Sequence, residues 1–217
     1  EVINGAEAIK MGRKLLTPPF KQLYNEQILE LKPKNSNDAD IVWEWNVKDH
    51  LIQDYDSTKD HYGVISDNPQ RLDINYLGSS SGGANWIHFN AVQYNAELDQ
   101  IVLTSKHLGE IYIIDHSTTT AEAATSAGGI YKKGGDFLYR WGNPAVYKQG
   151  EIKDQQLFGA HYAHWIGQGL EGAGGIIVFN NGEHRDPEYS EVFIITPPAS
   201  APGVYRYEAN SAYGPVK

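Results

Sequence analysis

Three segments of this chain share one pattern: a strand of alternating polar and apolar residues, a turn, and a second strand that closes on an aromatic. They are "EQILELKPKNSNDADIVWEW", ending at Trp45; "GEIYIIDHSTTT", which resumes after an insertion as "GGDFLYRW" and ends at Trp141; and "SEVFIITPPASAPGVYRY", ending at Tyr207. Period-2 alternation bounded by Pro, Asn, Asp and Gly marks β-hairpins rather than helices. A further pair of strands precedes the second and third of them, in "WIHFNAVQYNAELDQIVLTSKH" and "FGAHYAHWIGQGLEGAGGIIVFNNG". The recurring unit is therefore a four-stranded meander of roughly 45 to 60 residues, the sequence signature of a β-propeller blade. An all-β fold of about two and a half to three blades is expected, fewer than the roughly four that a closed ring needs.

The repeats divide the chain into parts of a single propeller domain. A partial blade is expected over residues 1–48, an inter-blade excursion over 49–84, one blade over 85–143 and another over 157–208. The excursion is polar, rich in Asp and Tyr, carries a short helix near Leu51 and ends in a Ser/Gly run. Connections of that length are often functional. A second helix is expected at Ala6–Lys14. Composition agrees: 14 Tyr, 5 Trp and 22 Gly suit short strands and tight turns.

A net charge of -9 with no basic stripe argues against nucleic-acid binding. Cysteine is absent, so neither disulfides nor thiolate chemistry enter. No apolar run approaches the ~18 residues of a membrane span. The opening "EVINGAEAIKMGRKLL" has neither an initiator Met nor a signal-peptide core, and it reads as the interior of a longer protein.

Of the eight histidines, His88 and the pair His161 and His164 occupy the same place in successive units, on the first strand. The innermost strands of a propeller line one channel, so such residues converge there as nucleophile, acid, base or ligand. Asn90 follows His88 by two residues, on the same face of an extended strand, and Lys106 ends the next strand. A hydrogen-bonded structural role competes for any one His beside a Trp. It is the preferred reading for His50, His61, His107, His116 and His184. "NNGEHRD" offers Glu183 and Asp186 as a weak calcium-type oxygen cluster, but no metal or other cofactor is expected.

The long stretches "NWIHFNAVQYNAELDQIVLTSKHLGEIYIIDHSTTT", "GGDFLYRWGNP", "LFGAHYAHWI…GGIIVFNNG" and "IVWEWNVKDHLIQDYD" resemble the bacterial arylsulfotransferases. The resemblance implies a six-bladed propeller and sulfuryl transfer from an aryl sulfate donor to a phenolic acceptor through a sulfated histidine. It places His88 and Asn90 on the family's H-x-N sulfate-binding pair and Lys106 on a family Arg. The family's nucleophile falls on His161, with His164 as second choice, and Ala160 stands where the family has Gln. It also implies a periplasmic or secreted protein, with further blades supplied by segments outside this chain or by a second copy. A binding or structural propeller without activity is the alternative, and a hydrolase using a metal at the same histidines ranks below both.

Overall fold

The computed structural model describes residues 1–16 and 21–215. Two short strands, β1 (Val2–Ile3) and β2 (Leu23–Tyr24), pair across the start of the chain. Between them α1 (Gly5–Lys10) is capped by Asn4, whose side chain accepts from the Glu7 N–H. This helix stops four residues short of the expected Lys14. Gly12 adopts φ +94°, and a Cβ there would sit 2.5 Å from Gln53, so the chain leaves the helix at a position only glycine fills.

β3 (Gln27–Asn35) and β4 (Asp38–Asn46) form the first hairpin, its turn closed by the Asn35 side chain accepting from the Asn37 N–H. Most of the hairpin is exposed; Trp43 and Trp45 fasten its end. Their indole N–H groups donate to Thr118 Oγ1 and to the Gly135 carbonyl, both in the insertion of the next unit.

The excursion over 49–84 differs from the polar loop the sequence suggested. A 3-10 turn at Val47–His50 leads into β5 (Leu51–Ile52), which pairs in parallel with β6 (Leu72–Asp73). Leu51, Ile52, Ile65, Leu72 and Ile74 are fully buried. Their spacing follows neither the helical nor the strand period, which is why the pattern hid a folded segment.

The centre of the molecule is an antiparallel meander of β7 (Phe89–Asn95), β8 (Gln100–Ser105), β9 (Glu110–Asp115) and β10 (Tyr139–Trp141). Every residue of β8 and β9 is buried. Their continuous apolar runs "IVL" and "IYII" are what a strand covered on both faces requires, whereas the edge strand β7 alternates. The insertion between β9 and β10 carries α2 (Thr120–Ala123), held by a capping box between Thr119 and Glu122.

A second meander joins β11 (Ala160–Trp165), β12 (Ile176–Asn180) and β13 (Glu191–Ile195). It has three strands, not the four expected. β14 (Ala199–Ala201) and β15 (Val204–Tyr205) pair with each other as a separate hairpin. Pro197 and Pro198 interrupt the chain after β13, and prolines cannot donate to a growing ladder. The structure is mostly β-sheet with little helix. Its six sheets are open, and among the described residues none closes into a ring.

Candidate active site

The first strands of the two meanders, β7 and β11, lie side by side, held by side chains of one sheet that satisfy backbone groups of the other. Asn90 Nδ2 donates to the Ala160 carbonyl (2.9 Å), Thr104 Oγ1 accepts from the Ala163 N–H (2.9 Å), and Gln93 Oε1 from the Trp165 N–H (2.6 Å). Three polar side chains thus fix the spacing of two strand edges that have no ladder between them.

Both strands begin irregularly. His88, just ahead of β7, has φ +55°, and the β7–β8 register shifts between Phe89 and Ala91. In β11, Tyr162 has φ +58° and the register against β12 shifts between His161 and His164. Bulges of this kind re-aim side chains, and left-handed backbone is rare for a residue as bulky as Tyr. They break the alternation that placed His88 and Asn90 on one face. Asn90 turns its amide to Ala160 and leaves Oδ1 buried without a partner.

At the shared end of the two strands His88, Lys106, His161 and Glu183 come together. Lys106 Nζ lies 3.2 Å from Glu183 Oε2. Burial first, then the positive charge of Lys106 and His161, holds the His88 imidazole below its ordinary pKa, with Glu183 opposing. His107, edge-on to His88 at 5.1 Å between ring centres, is lowered by burial, His88 and Lys106. Both rings are therefore neutral at pH 7. His88 Nδ1 is 2.6 Å from Asn85 Nδ2. An amide nitrogen only donates, so Nδ1 accepts and the ring proton sits on Nε2.

His161 is held differently. The Gly159 carbonyl lies 2.8 Å from its Nδ1 and 2.7 Å from Asn181 Nδ2, and the two nitrogens are 2.9 Å apart. A carbonyl only accepts, so this triangle is two donors sharing one oxygen. In its neutral form the His161 ring, facing the Gly159 carbonyl, carries its proton on Nδ1, which leaves the Nε2 lone pair for chemistry.

A family model described as Arylsulfotransferase (ASST) matches residues 14–212. The chain belongs to the arylsulfotransferase family. No curated protein and no solved structure gave a match.

Of the residues singled out from the sequence of this arylsulfotransferase-family chain, His88, Lys106 and His161 form one group. His164 faces another cleft, of about 520 Å³, with Tyr162, Asn90 and Glu26. Its Nδ1 is 3.3 Å from the Tyr162 carbonyl, and the two rings are 4.9 Å apart. On the other side of Lys106 a cleft of about 390 Å³ runs between Ser79, His107, Ile152, Phe158 and Glu183. The Ser/Gly run ending the excursion reaches this cleft: Ser79 Oγ is 2.8 Å from His107 Nδ1, and its N–H donates to the His107 carbonyl.

Sequence reasoning missed Glu183 and Asn181 as members of the site. The repeat carried the signal, since Lys106 follows the second strand of one meander and Asn181–Glu183 follow the second strand of the next. The weak oxygen cluster that Glu183 and Asp186 offered in the sequence does not form: the Glu183 carboxylate pairs with Lys106, and no group of three His, Asp or Glu among the described residues could hold a metal ion. His50, placed in a polar loop by the sequence, is wholly buried. It lies 2.8 Å from Asp136 Oδ1 and stacks on Trp45.

Proposed function

We propose that this chain transfers a sulfuryl group from an aryl sulfate to a phenol, with His161 as the nucleophile. The observation that carries the reading is the free Nε2 of His161, fixed by the Gly159 carbonyl beside a neutral His88 and a cationic Lys106. Nε2 attacks sulfur, the bond from sulfur to the aryl oxygen breaks, and the phenolate leaves with its electron pair. The Nε2–H of His88 and the Lys106 ammonium are suited to stabilise charge on the sulfuryl oxygens. A phenol then attacks the sulfated histidine, the S–N bond breaks and its electron pair returns to Nε2. Two meanders with adjacent first strands are what neighbouring propeller blades present, so a propeller channel is the setting we infer for this chemistry.

The test uses 4-nitrophenyl sulfate. Without an acceptor, the chain is expected to release one equivalent of nitrophenolate and to gain the mass of one SO₃ on His161. The His161→Ala variant loses transfer by about 10³-fold or more, the scale seen when a nucleophile is removed. Full activity in that variant would move the nucleophile elsewhere, with His164→Ala the next variant to assay. A second reading, a scaffold that binds without transferring, has one observation in its favour: Lys106 is already paired with Glu183. It predicts no burst and no mass gain.

A further inference from the structure

Ser79 and His107 are held against each other at three points, and sulfuryl transfer at His161 uses neither. The Ser79 N–H donates to the His107 carbonyl (2.9 Å), and Ser79 Oγ lies 2.8 Å from His107 Nδ1. Gly78 has φ +52°, and a Cβ on it would come 1.9 Å from the same carbonyl oxygen, so only glycine lets the loop close on His107. The run from Gly78 to Gly82 spells G-x-S-x-G around Ser80. It forms a 3-10 turn, not a strand-to-helix elbow, and Ser80 Oγ donates to the Leu77 carbonyl at 2.5 Å. The serine brought to an imidazole is therefore Ser79.

This pair meets the requirements of an activated nucleophile. Ser79 is exposed and His107 half-buried, and both line the 390 Å³ cleft. Burial, His88 and Lys106 lower the His107 pKa against the pull of Glu183, so the ring is neutral at pH 7. With the ring proton on Nε2, Nδ1 accepts from the Ser79 hydroxyl, the polarity of a base beside its nucleophile. Lys106 lines the same cleft and supplies a cation for charge that develops on a carbonyl oxygen. Ile152 and Phe158 give the cleft an apolar wall, which suits a small neutral ester.

We propose that Ser79 and His107 form a second catalytic site, which hydrolyses small neutral esters through an acyl-serine. Ser79 Oγ bonds to the ester carbonyl carbon as its proton passes to His107 Nδ1. The tetrahedral intermediate expels the alcohol oxygen with its electron pair, and that oxygen takes the proton from Nδ1. Water then gives a proton to Nδ1 as it adds to the acyl carbon. The C–Oγ bond breaks, the proton returns to Oγ, and the acid is released. The site works independently of His161 and of any aryl sulfate.

The test gives the chain 4-nitrophenyl acetate and locates the acetyl group. Acid quenching followed by peptide mass analysis is expected to find one acetyl group on Ser79. Nitrophenolate release falls by about 10²-fold or more in Ser79→Ala and in His107→Gln, the lower end of what a general base and its nucleophile supply. Ser79 is exposed, so Ser79→Ala should unfold at the parent's urea concentration, which separates lost chemistry from lost fold. Ser79→Cys should take the acetyl group on sulfur. The parent's release rate rises with pH and then levels off, with its midpoint below the 6.5 of an ordinary imidazole because burial lowers His107. Acetyl found on lysine or histidine alone, with Ser79→Ala as active as the parent, would overturn the proposal. So would a rate that climbs in proportion to hydroxide without levelling off.

Discussion

Asp73 shows how far a single buried charge can be moved here. It is 7% exposed, and its Oδ1 accepts from the Asn75 N–H at 2.8 Å. Burial pushes its carboxyl up from 3.8 to about 6, which the Asn75 hydrogen bond and the attraction of Lys148 and Arg13 only partly resist. Arg13 is itself lowered to about 10 by burial, and its guanidinium lies over the Trp86 ring at 5.2 Å. A carboxyl whose folded value lies above its unfolded one contributes stability below the unfolded value and loses it as pH rises through about 6. At pH 7.5 the ionised, buried form is therefore a cost. Asp73→Asn is expected to stabilise the chain by about 1–2 kcal/mol at pH 7.5, since one pKa unit is worth roughly 1.4 kcal/mol before screening and repacking. The gain should vanish near pH 4. Urea unfolding at both pH values checks this, and a gain independent of pH would show that burial of charge was not its cause.

At the scale of elements, the parts read correctly from sequence are those in which one periodicity runs unbroken. The β3–β4 hairpin forms over the segment expected to hold one, and the buried runs of β8 and β9 have the length and β-branched content of strands covered on both faces. What escaped depends on breaks in the period. The bulge at Asn90 inverts the face of one residue, and Pro197–Pro198 part the last hairpin from the sheet. Glu183 joins the site through a long-range ion pair that local pattern cannot encode. Convergence of His88 and His161 was legible because it follows from the repeat; the turning away of His164 follows from the β11 bulge and was not. The bulge also gives Asn90 a positioning task. Its amide is one of three side-chain links between the central sheet and β11, so Asn90→Ala should cost about 1 kcal/mol, the net worth of one such bond. It should also raise hydrogen exchange over residues 160–165 and slow transfer about tenfold as His161 loosens. If Asn90 acts only by contacting substrate, exchange there will not change and only donor affinity will fall.

The whole molecule is tied together by a buried ion pair between β9 and β10. Arg140 and Glu110 are both fully buried, and the guanidinium forks onto the carboxylate, with Nε 2.8 Å from Oε1 and Nη2 on Oε2. Tyr112 donates its hydroxyl to the same carboxylate at 2.7 Å. Nη1 donates to the carbonyls of Pro69 (3.1 Å) and Arg71 (2.9 Å), and the guanidinium lies 4.3 Å from the Tyr147 ring centre. One side chain therefore joins the central sheet, the excursion and the segment that leads to β11. Burial alone would lower the Arg140 pKa, but Glu110 and Tyr112 outweigh it and hold it above its ordinary value. Glu110 is raised by burial, and Arg140 restrains the rise. Such a pair is costly to break from one side and far less costly to replace as a unit, because a lone buried charge has no other partner. Arg140→Met and Glu110→Gln are each expected to lose about 3–5 kcal/mol in urea unfolding, with residues 69–74 exchanging early. The double variant should recover much of that loss. If the two single losses simply add, the ion pair is not the tie, and the excursion is held by its buried leucines and isoleucines alone.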